Sequence, residues 1–148
     1  MADAVEERAP GIGIVNVTFA GTGAVVVTSV AASLLPDTFG LVHAALSCVL
    51  FAVGTGALLW AYALGVSRSR TDAVTLGGLF FLADGTAPPD VRRPFRVALA
   101  VEVVAVVAAA AIHPFTQVAF GILAPMFALG LMGMWGGRYG TFGPREPR

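Results

Sequence analysis

The fold is decided by residues 12–64, which read IGIVNVTFAGTGAVVVTSVAASLLPDTFGLVHAALSCVLFAVGTGALLWAYAL. The only charged side chain in this stretch is that of Asp37. About 20 apolar helical residues cross the roughly 30 Å hydrocarbon core of a bilayer, so the stretch is long enough to cross twice. Pro36, Asp37 and Gly40 mark a turn between the two crossings. The stretch therefore predicts a hairpin of two transmembrane helices at about 12–34 and 41–64.

The composition of the whole chain supports a membrane protein. Hydrophobic residues make up 57% and charged residues 12%, whereas soluble domains carry about 25% charged residues because their surfaces face water. We expect one membrane domain over residues 1–148, with the lipid bilayer as its surroundings. The formal net charge is +0, which gives no reason to expect nucleic acid as a partner.

The second half of the chain repeats the hairpin pattern. Apolar segments at about 97–112 and 117–136 are joined by the short connection 113–116. Short connections place consecutive helices side by side in opposite directions. The predicted fold class is all-α, an integral membrane four-helix bundle of up-down-up-down topology with left-handed packing.

The arginines predict the orientation. All nine basic residues are arginines, and neither hairpin connection contains one; they are Arg8, Arg68, Arg70, Arg92, Arg93, Arg96, Arg138, Arg145 and Arg148. The positive-inside rule therefore places both termini and the loop 66–96 in the cytoplasm. Trp60, Tyr62, Trp135 and Tyr139 are expected to anchor the cytoplasmic interface. A chain with no lysine and abundant alanine, glycine and valine suggests a GC-rich bacterial genome, and hence the bacterial plasma (inner) membrane.

The loop 66–96 contains an apolar segment at about 72–83 that is too short to span a bilayer. We expect a short helix there, between the second and third transmembrane helices, lying in the cytoplasmic interface and burying Leu79, Phe80 and Leu82. The alternative is a re-entrant segment or a lid over a site, broken at Gly77 and Gly78.

Glu102 is the only ionisable side chain well inside a predicted helix. A carboxyl group in that position is costly, so we expect it to face the bundle, at the depth of Asn16 in the first helix, with Arg96 reaching toward it from the interface. One hypothesis makes Glu102 a site for a cation, a proton or an amine. The other makes it a structural carboxyl group that bonds to Asn16.

Small residues line the inner ends of two helices. Gly133 and Gly137 lie one turn apart in the fourth helix, and the second helix carries Ala57, Ala61 and Gly65. Small side chains let helix backbones approach closely. They indicate either tight packing inside one bundle or a surface for a second copy or another membrane subunit. Pro125 near the middle of the fourth helix predicts a kink that frees the carbonyl of Gly121.

The chain lacks the short motifs that identify common catalytic and nucleotide-binding sites. His43 and His113 lie at the outer helix ends, but no carboxylate or cysteine joins them at a metal-binding spacing. We therefore expect no catalytic residue, metal or cofactor, and do not expect an enzyme. The leading functional expectation is a non-catalytic accessory or scaffolding subunit of a membrane assembly. The alternatives are an oligomeric carrier or binder of a small cation or amphiphile that uses Glu102, and a membrane enzyme acting at the cytoplasmic leaflet.

Overall fold

The computed structural model describes residues 10–145, and helices dominate it. The α-helices are α1 (Ile12–Leu34), α2 (Pro36–Arg68), α3 (Leu76–Phe81), α4 (Pro89–Ile112) and α5 (Pro125–Tyr139), and a 3₁₀ helix covers Gln117–Leu123. Four segments are long and apolar enough to span a membrane: α1, α2, α4, and the 3₁₀ helix together with α5. The chain is a multi-pass membrane protein, and the predicted all-α four-helix bundle is confirmed.

The short connections set the topology. Leu35 alone separates α1 from α2, and Pro36 begins α2 at a first-turn position where its missing N–H is not needed. Residues 113–116 join α4 to the 3₁₀ helix. We call the end of the bundle that carries these two connections the hairpin end. The opposite end is the arginine end; two of the arginines that define it in sequence, Arg8 and Arg148, lie outside the described residues.

The helix bounds confirm some predictions and correct others. The first helix has the predicted bounds, but α2 runs over 36–68 instead of 41–64, and α4 begins at Pro89 instead of residue 97. Both helices continue past the apolar stretch because a helix does not need to stop where the bilayer stops. Charged and polar residues extend it into the interface, and α4 also continues through Pro94, which lacks a backbone N–H.

The fourth span is not one helix over 117–136. It runs as a 3₁₀ helix to Leu123, and α5 then starts at Pro125 and continues to Tyr139. Pro125 therefore sits in the first turn of α5, and the carbonyl of Gly121 is not free, because it accepts the amide of Ala124 at 2.9 Å. The change of helix type replaces the predicted kink.

The closest helix pair is α2 with α5. Gly54 of α2 lies against the backbone of Met126 and Phe127, and Gly130 of α5 lies against the backbone of Gly54. A Cβ atom at either glycine would clash with these backbone atoms. The backbones thus meet without intervening side chains, as small-residue packing in membranes allows. The other main pair is α1 with α4.

The predicted interfacial helix at 72–83 is shorter than expected. It covers only Leu76–Phe81, and Leu79 and Leu82 are buried at 2% and 0% exposure against the protein. The side chain of Leu79 lies over Gly65 of α2, and its backbone lies beside Gly136 of α5. The segment therefore covers the arginine end of the bundle with these two leucines, while Leu76 and Phe81 are exposed.

The C-terminal segment completes this cover. The amide of Ala73 donates to the carbonyl of Gly143 at 2.8 Å, and that of Thr141 donates to Thr86 at 3.0 Å. Arg68, at the end of α2, pairs with Asp72 at 3.2 Å and donates to the carbonyl of Gly137 at 3.1 Å.

The four predicted aromatic anchors divide into two kinds. Trp60 and Tyr62 are exposed on α2, as an anchor requires. Trp135 is 1% exposed, stacks near Tyr139 and donates its Nε1–H to the carbonyl of Pro10 at 2.9 Å. Trp135 is thus a core residue that ties the start of the described chain to α5, and the prediction of an interfacial anchor is wrong for it.

Candidate functional site

Glu102 lies in the interior of the bundle with its side chain fully buried. Its exposure is 0%, and Thr22 of α1 donates its hydroxyl to Oε1 at 2.7 Å. The second oxygen, Oε2, is buried and has no hydrogen-bond partner among the described residues. A buried acceptor left unpaired costs about 1–3 kcal/mol, so such groups are rare unless they serve a purpose.

Glu102 faces the bundle, as expected. Ala98, Glu102 and Ala109 are buried, and Val103, Val104 and Val107, on the other side of the helix, are exposed. Glu102 lies deeper than the position of Asn16, at which it was expected. Its partner Thr22 is ten residues from the start of α1 at Ile12, which is about 15 Å along the helix and close to the middle of the span.

The predicted partners of Glu102 are not beside it. Asn16 is exposed on α1, and Thr22 takes the position that was predicted for Asn16. Arg96 donates to the carbonyl of Phe81 at 3.1 Å, so it holds the α3 segment instead of reaching the carboxyl group. The buried side of α1 carries Val15, Thr18, Thr22, Val25, Ser29 and Ala32. The small residues near Asn16 are on the outer side, where no other helix approaches.

His43 of α2 is the second fully buried ionisable side chain in the bundle interior, at 0% exposure. Its Nδ1 lies 3.0 Å from the hydroxyl oxygen of Thr28 on α1. That hydroxyl also lies 2.8 Å from the carbonyl of Ala24, and when it donates there, it accepts from a proton on Nδ1 of the ring. The other ring nitrogen, Nε2, is buried without a partner among the described residues and faces Gly121 of the 3₁₀ helix.

Buried hydroxyl groups lie near these two ionisable groups. Ser47, one turn from His43 on α2 and farther from the hairpin end, is 0% exposed and donates to the carbonyl of His43 at 2.7 Å. Ser29, on α1, is 2% exposed and its Oγ is unpaired among the described residues. At the hairpin end the ring of His113 lies 2.8 Å from the carbonyl of Ser33. Polar groups thus occur at several depths between Glu102 and this end.

Two cavities open near the hairpin end of these polar groups. One, of about 500 Å³, is lined by Pro36, Asp37, His113, Phe115, Thr116, Gln117 and Val118. The other, of about 240 Å³, is a crevice between α1 and α4 lined by Ser29, Val30, Ser33, Leu34, Ala105, Ala108, Ala109 and Ile112. Neither cavity is lined by Glu102.

The arginine end of the interior is mostly apolar. Phe95, Trp135 and Met132 are buried at 1%, 1% and 0% exposure, and they belong to one cluster with Leu82 and Val91. Two hydroxyl groups are buried on this side as well: Thr18 is 0% exposed, and the Oγ1 of Thr55 has no partner among the described residues. What distinguishes the hairpin side of Glu102 is therefore the buried imidazole of His43.

The small residues predicted to mediate helix packing pack inside the bundle. Gly133 lies against Phe80 and Ala61, Gly137 against Leu64, and Gly65 against Leu79. Ala61 is 0% exposed, and Ala57 packs partly buried against the core. None of them forms an open surface, so the outward-facing alternative has no support from their positions.

Within residues 10–145 no three His, Cys, Asp or Glu side chains converge as a metal site would require. The chain matches no family model, no curated protein and no solved structure. Its function has to be argued from the buried polar groups alone.

Sequence reasoning found Glu102 but missed Thr22, and it considered His43 only as a metal ligand. One signal was available. Thr18, Thr22, Val25, Ser29 and Ala32 follow a helical spacing on one face of α1, and that face carries three hydroxyl groups among apolar residues.

Proposed function

We propose that this protein is a small proton carrier of the membrane in which Glu102 takes up and releases the proton. The observation that carries the proposal is the unpaired Oε2 of a fully buried carboxyl group. A structural carboxyl group would be expected to use both oxygens, because leaving one unpaired is costly. A carboxylate oxygen without a hydrogen-bond partner in the middle of a membrane span is suited to bind and release a proton.

The size of the site favours a proton over the other ligands considered for Glu102. A metal cation needs several oxygen ligands at once, and the groups beside the carboxyl group, the hydroxyl of Thr22 and the backbone amide of Ala128, offer only one oxygen between them. An amine or an amphiphile needs a cavity at the carboxyl group, and the cavities near it are lined by other residues. A proton needs only the lone pair of Oε2.

The experiment is infrared spectroscopy of the protein in lipid vesicles during a pH titration, combined with a proton-flux assay under an imposed membrane potential. We expect a carboxylic acid C=O band that titrates in the wild type and is absent in Glu102→Gln, which also loses the flux. Asp90→Asn is the matched control, because Asp90 is an exposed carboxyl residue in the first turn of the same helix; it should keep both. A titrating band and flux that survive in Glu102→Gln would overturn the proposal.

For the orientation we propose a cytoplasmic arginine end and an outer hairpin end, on the arginine distribution alone. A bacterial plasma membrane remains the proposed location. The role of an accessory or scaffolding subunit, in a homo-oligomer or with another membrane protein, stays a prediction. The main argument for it was that the stripes of small residues could contact another subunit, and this argument is weaker because those residues pack inside the bundle. Native mass measurement from nanodiscs would support that role only if a second polypeptide co-purified in stoichiometric amount.

A further inference from the structure

We propose that His43 is a second proton-binding group, through which protons pass between the hairpin side and Glu102. This inference rests on the proposed function of Glu102 and adds the route and the side of access. Its basis is a buried imidazole with one nitrogen held by a hydroxyl group and the other left open.

The hydrogen bonds of Thr28 determine which ring nitrogen is open. We assign its single hydroxyl proton to the carbonyl of Ala24, the shorter contact at 2.8 Å, so that the oxygen accepts the Nδ1–H of His43 at 3.0 Å. In a neutral imidazole the other nitrogen then carries a lone pair and no proton. Nε2 can therefore take up a proton while the Thr28 bond holds the ring in place.

The imidazole ring of His43 fits beside the 3₁₀ helix because residue 121 is a glycine. Gly121 lies so close to this atom that a methyl group on its Cα would collide with the ring. Gly121 belongs to the 3₁₀ stretch of the fourth span, and a 3₁₀ stretch in a long helix often marks a functional site. The neighbours of the ring described here, Thr28 and Gly121, bring no charge. The ionisable groups of this half are Asp37 and His113 toward the hairpin end, Glu102 toward the middle, and the exposed Cys48.

The depth of His43 places it between the hairpin end and Glu102. Thr28, its partner, is six residues from Thr22 on α1, which is about 9 Å along the helix. Ser47 lies one turn of α2 inward from His43 and is fully buried. Its hydroxyl group therefore lies within the interval that a proton has to cross.

We place the open side of this route at the hairpin end. Ser29, whose hydroxyl is unpaired among the described residues, lines the crevice between α1 and α4, and Asp37 and His113 line the larger cavity; His43 itself lines neither. On the arginine side the interior is filled mainly by buried hydrocarbon, with the hydroxyl groups of Thr18 and Thr55 among it. We therefore place the access on the hairpin side, where both of these cavities lie.

The transfer balances as follows. A proton from the hairpin side binds the lone pair of Nε2 and gives an imidazolium ion. The imidazolium ion then breaks its Nε2–H bond, releases that proton inward and returns to the neutral ring, with its Nδ1–H still bonded to Thr28. The carboxylate oxygen Oε2 of Glu102 accepts that proton and becomes a carboxylic acid, so one proton has moved and no electron has been exchanged.

The first test is nitrogen-15 NMR of histidine-labelled protein in lipid. We expect the neutral ring of His43 to carry its proton on Nδ1, and Nε2 to gain a proton on acidification. A neutral ring with its proton on Nε2, or a ring that never titrates, would overturn the inference without any variant.

The second test follows the Glu102 infrared band after a pH jump, in vesicles where all copies face the same way. A jump on the hairpin side should protonate Glu102 quickly in the wild type. In His43→Gln, whose amide can still bond to Thr28 but cannot relay a proton, the response should slow by roughly 100-fold, the lower range for a positioned acid–base group. Equal rates in the two proteins would refute the relay.

Glycine variants supply a control for folding. Gly121→Ala covers Nε2 and should also slow the response, whereas Gly23→Ala, which meets open space on α1, should not. The two proposals fail in different ways. A Glu102 band that never titrates sinks the proposed function, whereas a band that titrates at the wild-type rate in the His43 variant sinks only the relay.

Discussion

Thr22 and Glu102 form the one buried side-chain to side-chain hydrogen bond that joins α1 to α4 among the described residues. A threonine suits this place because its hydroxyl can donate to the carboxyl group whether that group is charged or protonated. In hydrocarbon such a bond also orients the two helices, since neither partner can turn to water.

We predict that Thr22→Val destabilises the protein by about 1–2 kcal/mol, because it removes the hydroxyl that donates to Oε1 of Glu102. Thermal unfolding in detergent would measure the change. Asn16→Ala is the comparison on the same helix; Asn16 is exposed, so its removal should shift stability by no more than about 0.5 kcal/mol. A larger loss for Asn16→Ala than for Thr22→Val would restore the partner expected from sequence.

At this scale the sequence predicted the burial and the face of Glu102 but not its partner. An isolated carboxyl residue in an apolar helix has to face protein, so that inference is secure. The sequence does not show in the same way which side of α1 faces the other helices. Lipid is as apolar as the core, so Gly13, Ala20 and Gly23 can face outward at little cost, and they are exposed. A small side chain permits helix contact but does not require it.

At the scale of the helices, the close approach of α2 to α5 depends on particular glycines of α2, whereas a neighbouring glycine of the same helix faces open space. Gly54 meets the backbone of Met126, whereas Gly56, two residues along, meets nothing within 4 Å. The two positions share a helix and a residue type and differ only in what faces them.

We predict that Gly54→Ala destabilises the protein by about 1–3 kcal/mol, because a methyl group would have to push two backbones apart. Gly56→Ala should be neutral or stabilising, since alanine is the better helix former by about 1 kcal/mol. Unfolding of both variants under the same conditions gives the difference. Equal stabilities would mean that the close approach at Gly54 does not exist in the membrane.

Element boundaries were predictable only where chain chemistry stops a helix. Pro36 ends the first crossing, so α1 was placed correctly. Near residue 97 the signal misleads, because Pro94 predicts a helix boundary there, whereas α4 continues through Pro94 and the arginines back to Pro89. The 3₁₀ stretch before Pro125 was not predicted either. Pro125 indicates only that the backbone departs from regular α-helix, and the close contact of Gly121 with His43 of α2 depends on the fold.

For the whole molecule, apolar length and charge distribution were enough to predict the class and the number of spans. They could not predict how the arginine end is closed. That closure pairs residues far apart in the chain, such as Ala73 with Gly143 and Trp135 with Pro10, and no local pattern encodes such pairs.

We predict that the hairpin end faces the outside. In a Cys48→Ala background, a cysteine placed at the fully exposed Phe115 should react with a membrane-impermeant maleimide added to intact cells. A cysteine placed at the exposed Arg93 of α4 should react only after the cells are permeabilised. The reverse pattern would invert the orientation and, with it, the side from which protons reach His43.

The helices described above also differ in the length of the stretch that can match the hydrocarbon core of a bilayer. The uncharged stretch of α2, residues 38–67, is about 45 Å long, whereas residues 97–112 of α4 give about 24 Å, on either side of the roughly 30 Å core of a bilayer. Lipids beside α4 have to thin, and lipids beside α2 have to thicken unless that helix leans. Because the two lengths differ, the tilt of the protein in the membrane should depend on the acyl-chain length of the surrounding lipids. A change of tilt would also change the geometry of the polar interior.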